Sequence, residues 1–219
     1  MLIQAQIVRY LKHKEDVFFV QVGSNDGLQG DPIHELIVSN AHWKGMFIEP
    51  VPYLFQRLRS NYDNADRFIF ENVAISDKSE LRQFYYVSED AKAALGGSLP
   101  FWYDQTGSFD KNHLMKHVDR INTALHSYVV EEHIGTMSLR ELLDRYDIEE
   151  VDLLHIDAEG YDYHVLSQLD FLRYRPSIIL YEHEHLADYE QRSAKSLLER
   201  HNYSCVAYGG DILALNKAK

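Results

Sequence analysis

Asp152-Leu153-Leu154-His155-Ile156-Asp157-Ala158-Glu159-Gly160-Tyr161-Asp162 is the stretch whose reading decides the fold. An apolar run climbs through a predicted strand and delivers two carboxylates, Asp157 and Glu159, into a tight turn closed by Gly160. In an open α/β sheet, ligands bind outside the carboxyl ends of the strands. Acids at such an end can hold a cation, a cationic ligand or a proton in transit. Alone, the stretch could be an ordinary acidic turn. Its meaning changes beside Phe18-Phe19-Val20-Gln21-Val22-Gly23-Ser24-Asn25-Asp26-Gly27 and Met46-Phe47-Ile48-Glu49-Pro50. Together the three strand ends predict a nucleotide-type site on one rim of a parallel sheet.

The same pattern extends in both directions. Residues 17–22 form a continuous apolar run before a glycine turn, as expected for a strand buried on both faces. Asp31-Pro32 then predicts a helix start, with Ile33, Leu36 and Ile37 on its buried face. A second strand runs from Gly45 to Glu49, a helix follows through Leu54 and Leu58, and a third strand spans Phe68 to Ile75. Glu80 to Val87 is expected as an extra strand. Ser138 and Glu141 fit a capping box opening a helix to about Tyr146. A strand at 151–156, a helix at about 161–169, a strand at 177–182 and a helix at 189–200 come next. A hairpin about Gly209-Gly210 closes the order. Alternating strands and helices predict an α/β fold with crossover helices.

Residues 88–130 break this rhythm. The segment carries Gly96-Gly97-Ser98, Phe101-Trp102-Tyr103 and a basic-aromatic mixture. An insertion of this length is expected to be a lid or substrate loop that meets the acceptor through Trp102, Tyr103 or neighbouring polar groups. The alternative is a mobile surface excursion with a short helix near 111–125. The expected organisation is one domain over 1–219 carrying this insertion.

Composition narrows the partners. The chain has 219 residues and a hydrophobic fraction of 45%, enough for a substantial core. A formal net charge of −12 disfavours nucleic acid, because phosphate binding needs a basic footprint. No window resembles a membrane span. Residues 1–10 predict an amphipathic helix rather than a signal peptide. Cys205 is the single cysteine, so an internal disulfide is ruled out and a cytoplasmic location is expected. Twelve His residues are scattered, with no His-Glu-x-x-His or Cys/His zinc spacing.

Several residues are candidates for chemistry. The turn at Gly23, Ser24, Asn25, Asp26 and Gly27 lacks the G-x-G-x-x-G fingerprint, yet its small residues allow a ligand close to the backbone. Glu49 is placed to accept hydrogen bonds from both hydroxyls of a ribose. Pro50 adjoins it, and Asn72, Val73 and Ala74 could flank an adenine. Asp157 and Glu159 should share a rim with Glu182-His183-Glu184-His185. His183 is the first choice for a general base, imidazole being the group that ordinarily titrates nearest neutral pH, and Asp157 is the second. A divalent metal such as Mg²⁺ held by Asp157, Glu182 and His183 is the alternative. Glu184 and His185 read as a solvated helix-entry loop.

The chain resembles the FkbM-type S-adenosylmethionine-dependent methyltransferases. The resemblance rests on Phe19–Gly27, Phe47-Ile48-Glu49-Pro50, Asn72-Val73-Ala74-Ile75-Ser76-Asp77, and the run from Thr136-Met137-Ser138-Leu139 to Leu154–Gly160. It implies a class I methyltransferase (Rossmann-like) fold, with a mostly parallel seven-stranded sheet and one antiparallel strand near the C-terminus. It also implies O-methylation of a sugar, glycan or natural-product hydroxyl, with S-adenosylmethionine as cofactor. Many class I methyltransferases carry an acid two residues before the first glycine, contacting the amino group of the methionine moiety. Here that residue is Gln21, so Asp26 or Asp157 is expected to supply the missing charge. The rival readings are a nicotinamide-dependent oxidoreductase and a non-catalytic cofactor-binding domain.

Overall fold

The structure, a computed structural model, describes residues 3–62 and 66–218. In chain order the elements are α1 (Ile3–Leu11), β1 (Phe18–Val22), α2 (His34–Ser39), β2 (Lys44–Ile48), α3 (Pro52–Asn61), β3 (Phe68–Glu71), β4 (Ala74–Ile75), β5 (Leu81–Val87) and α4 (Asp90–Leu95). There follow α5 (Lys111–Ile121), β6 (Val129–Met137), α6 (Leu139–Arg145), β7 (Leu153–Ile156), α7 (Asp162–Ser167), β8 (Ile178–Glu182), α8 (Asp188–Arg200), β9 (Tyr203–Tyr208) and β10 (Asp211–Asn216).

Seven strands form the main sheet in the order β3-β2-β1-β7-β8-β10-β9. The first five run parallel, and β10 lies antiparallel to both β8 and β9. Strand order reverses between β1 and β7, so the carboxyl ends of these two strands flank the topological switch point. Both faces of the sheet are covered, which is why its central strands read as continuous apolar runs. Alternate residues feed two cores. Val20, Val22, Met46, Leu154 and Ile156 pack with Leu142, Val165 and Leu198 of α6, α7 and α8 on one face. Phe19, Phe47 and Leu153 pack with Ile7, Ile37 and Leu58 of α1, α2 and α3 on the other. Among the described residues no helix is long and apolar enough to cross a membrane.

Three local expectations change. The strand expected over 68–75 is two strands: β3 belongs to the main sheet, whereas β4 joins a second sheet ordered β4-β6-β5. Between them, Asn72 Nδ2 donates to the carbonyls of Glu49 and Pro50 at 2.8 and 3.0 Å, which diverts the chain from the first ladder. Strand β6 had no counterpart in the sequence reading, because Glu131, Glu132 and His133 expose its middle and hide its apolar alternation. The helix expected from Asp31-Pro32 begins at His34, although Asp31 Oδ1 still accepts from Ile33 N at 2.8 Å.

The insertion between β5 and β6 has its own core. Val87, Ala91, Leu99, Tyr103, Leu114, Val118 and Leu125 pack together beneath α4 and α5. Asp110 caps α5 by accepting from Asn112 N at 2.8 Å.

Candidate active site

The end of β1 is built by backbone geometry. Gly23 has φ of +76°, and a Cβ there would stand 1.7 Å from the carbonyl oxygen of Asp157. Only glycine lets β1 and β7 approach this closely at the switch point. Ser24 Oγ donates to Gln21 O and accepts from Ile48 N, both at 3.1 Å, stitching β1 to β2. Asn25, left-handed at φ of 49°, directs its N–H to Glu49 Oε2 at 2.8 Å. Val51 N donates to Glu49 Oε1 at 2.8 Å. Burial pushes the Glu49 carboxyl up to about 7, against the pull of these two N–H donors.

Glu49 lies on the edge of a pocket of about 520 Å³. Pro50, Val73 and Ala74 line it, as does Asp157. Phe84 from β5 and Phe109 from the insertion form an aromatic wall, their ring centroids 5.2 Å apart and edge to face. A smaller cavity of about 270 Å³ lies beside it, lined by Gln21, Gly23, Ser24, Asn25, Asp31, His155 and Asp157 among others. Gln21 Oε1, Asp31 Oδ2 and His155 Nδ1 are buried without a hydrogen-bond partner. Buried polar atoms are ordinarily paired, so three orphans lining one cavity make it a place for a polar ligand. Burial raises the Asp31 carboxyl to about 6 and lowers the His155 imidazole to about 4.

A third cavity, about 720 Å³, opens at the rim between the insertion and the ends of β7 and β8. Trp102, Gln105, Thr106, His117 and Arg120 approach from the insertion, and Asp157, Glu159, Glu182, Glu184 and His185 from the sheet. Asp157 therefore borders all three cavities. Burial, reinforced by Glu159, holds its carboxyl well above the usual carboxylate range. The carboxyls of Glu159 and Glu182 are also raised, burial again being the largest cause. His113, His117 and His185 are lowered by burial, His117 to about 4.

The predicted site residues separate into those that face the cavities and those that shape them. Gln21, Gly23, Ser24, Asn25, Glu49, Pro50, Val73, Ala74 and Asp157 line one pocket or the other. Asp26 instead closes its own turn, accepting from Leu28 N, Gln29 N and Gln29 Nε2 at 3.0, 2.9 and 2.9 Å. Gly27 packs against α3, where a Cβ would meet Leu58 at 2.5 Å and Tyr62 at 2.6 Å. Asn72 is spent on the β2 carbonyls described above.

His183, expected as the base, is not among the residues that line the rim cavity. Its N–H stays in the ladder with Gly210 O at 2.8 Å, and its Nε2 faces Gly209 O at 3.4 Å, toward the β9–β10 turn. The expected metal set of Asp157, Glu182 and His183 is not among the clusters with metal-ligand spacing that the described residues form. Among the described residues, the clusters with metal-ligand spacing are His113, His117, Glu159 and His185, and Glu182, Glu184 and His185. His185, read as a solvated loop residue, reaches the rim instead. The sequence signal for the first cluster was His113-Leu114-Met115-Lys116-His117, two imidazoles one helical turn apart. Tyr103 is corrected as an acceptor contact, since it belongs to the core of the insertion, whereas Trp102 lines the rim cavity.

A mostly parallel sheet in this strand order, with antiparallel strands at its C-terminal edge, is the class I methyltransferase fold. The model of the methyltransferase FkbM domain matches residues 21–212, and the chain belongs to that family. Among solved structures, it is similar to the methyltransferase FkbM from Methylobacillus flagellatus KT. The TM-score is 0.54 at 12% identity, over 92% of this chain but 44% of that one. The chain thus spans less than half the length of that relative. It is also similar to the O-methyltransferase from Bacillus cereus in complex with SAH, with a TM-score of 0.51 at 12% identity over 98% of this chain and 80% of that one. No curated protein matches the chain.

Proposed function

We propose that this methyltransferase uses S-adenosylmethionine to methylate a hydroxyl oxygen on a sugar, glycan or natural-product acceptor. The observation that carries the reading is the position of Asp157, at the meeting point of the 520 Å³ pocket, the polar cavity beside it and the rim cavity. Glu49 would accept from the ribose hydroxyls, and Val73, Ala74, Phe84 and Phe109 would hold the adenine. In the neighbouring cavity Gln21 and Asp31 would offer acceptors to the ammonium of the methionine tail. Gln21 alone would lack charge, and Asp31 supplies it. The acceptor occupies the rim cavity, where Trp102 and the polar side chains of Gln105, Thr106 and Arg120 suit a polyhydroxylated molecule. The negative charge of the chain supports such a small acceptor over nucleic acid.

When bound, the cofactor supplies an activated methyl on its sulfonium. The acceptor oxygen would take the methyl that the sulfonium gives up, and Asp157, in its ionised form, would take the hydroxyl proton, the burial that raises its affinity for a proton suiting it to that role. Holding oxygen, carbon and sulfur in line is the larger part of the task, with proton removal adding about a hundredfold or more.

The test is methyl transfer from labelled S-adenosylmethionine to a panel of hydroxylated glycans and natural products, with calorimetry using S-adenosylhomocysteine and NAD. The expected result is a labelled methyl ether, one S-adenosylhomocysteine per ether, and a roughly hundredfold or greater loss of kcat in Asp157→Asn. Tight binding of NAD without binding of S-adenosylhomocysteine would overturn the reading.

A further inference from the structure

Three imidazoles and a carboxylate meet where the insertion crosses the sheet. His113 and His117 project one turn apart from the same face of α5. His185 comes from the loop after β8, and Glu159 from the turn after β7. The ring centroids form an almost equilateral triangle: His113 to His117 4.7 Å, His113 to His185 5.1 Å, and His117 to His185 5.0 Å. Glu159 Oε2 stands 3.1 Å from His113 Nε2 and 4.0 Å from His185 Nε2. One ligand atom from each of the four residues lies within 4.8 Å of the others.

We propose that His113, His117, His185 and Glu159 bind one divalent transition metal ion. Neutral imidazoles are borderline ligands that favour Zn²⁺, Co²⁺, Ni²⁺ or Fe²⁺, whereas Mg²⁺ prefers an all-oxygen shell. Metal–nitrogen distances of about 2.0–2.1 Å in a tetrahedral site set ligand atoms about 3.3 Å apart. Small side-chain rotations would close the existing cluster to that spacing. All four residues are largely shielded: side-chain exposure is 15% for His113, 20% for His185 and 14% for Glu159, and His117 is 8% exposed as a residue. Further oxygen donors stand nearby, Glu182 Oε1 and Glu184 Oε1 lying 3.8 and 3.7 Å from His185 Nε2.

The site has two structural consequences. Two ligands belong to the insertion and two to the rim of the sheet, so the ion would pin one to the other. It would also face the rim cavity, because His117, Glu159 and His185 all line it. Resting on the methyl-transfer reading, a metal there would draw in the acceptor oxygen and make its hydroxyl easier to deprotonate.

Metal binding can be read without acceptor or turnover, so its failure is distinct from failure of the methyl-transfer reading. The full chain, stripped with a chelator and dialysed, is titrated with Co²⁺ and followed by visible absorption. One Co²⁺ per chain is expected, displaced by Zn²⁺ and retained in equimolar Mg²⁺. His117→Gln and His185→Gln should each weaken Co²⁺ by at least about tenfold. Neither residue lines the cofactor pocket, so calorimetry with S-adenosylhomocysteine should give unchanged affinity and report an intact fold. Absence of a Co²⁺ band in the unaltered chain, equal bands in both variants, or displacement by equimolar Mg²⁺ would overturn the proposal.

Discussion

Glu49 accepts from Asn25 N and Val51 N, one donor on each oxygen, and it carries the expectation most sensitive to pH. The charges of Asp104 and Asp26 oppose its ionisation, and its own charge opposes that of Asp157. Ribose hydroxyls donate hydrogen bonds and so favour the ionised form. With the free carboxyl at about 7, its ionised fraction climbs steeply from pH 6 to pH 8. Affinity for S-adenosylhomocysteine should therefore rise up to about tenfold over that interval and level off above it. Glu49→Ala should weaken binding by about 1–3 kcal/mol, and Glu49→Gln should flatten the pH dependence. Calorimetry at several pH values checks both, and an unchanged slope in Glu49→Gln would assign the proton elsewhere. At this scale the sequence was informative where a strand ends abruptly. Glu49 and Asp157 were legible because each follows a buried run and emerges at the rim. His183 and His185 were not, because strand periodicity lapses once the chain leaves the ladder. The bond from His183 N to Gly210 O carries the ladder one residue further, and the loop then turns His185 back to the rim.

At the scale of elements, the insertion is the part that departs from the alternation of strands and helices. Its helices share a core with Leu114 and Leu125 fully buried at its centre. Leu114→Ala should cost about 2–5 kcal/mol locally. Hydrogen exchange should then quicken across residues 88–128 together, while β1 and β7 keep their protection. Faster exchange confined to α5 would show that the insertion is not a cooperative unit. The sequence exposed this segment only as a break in rhythm. Its helix α5 was expected near 111–125 and spans Lys111–Ile121. Strand β6 escaped notice, because pairing with β5 supports a strand whose own alternation is interrupted by solvated charges. The capping box of α6 was fully legible, since Ser138 and Glu141 satisfy each other within four residues.

Over the whole molecule, negative charge prevails. The chain carries a formal net charge of −12, whose field favours a cationic ligand, while the rim carboxyls raised by burial add to it only through their ionised fraction. S-Adenosylmethionine bears one more positive charge than S-adenosylhomocysteine, on its sulfur. Raising salt should therefore weaken the former more than the latter, because mobile ions screen the attraction. Calorimetry with both ligands at low and high ionic strength reads the ratio directly, and a ratio independent of salt would remove the acidic field from cofactor recognition.

By itself the sequence determined the alternating order of strands and helices, the parallel centre of the sheet and the acidic strand ends at its switch point. These are local properties: apolar runs, turn residues and caps act over a few neighbouring positions. Only the tertiary structure decided that Asp31 joins Gln21 and His155 in one polar cavity, and that α5 lies over the rim. It alone decided that His113 and His117 meet His185 and Glu159, residues more than forty positions further along the chain. Such meetings depend on how the insertion packs against the sheet, a consequence of many buried contacts acting together, which no short stretch of sequence contains.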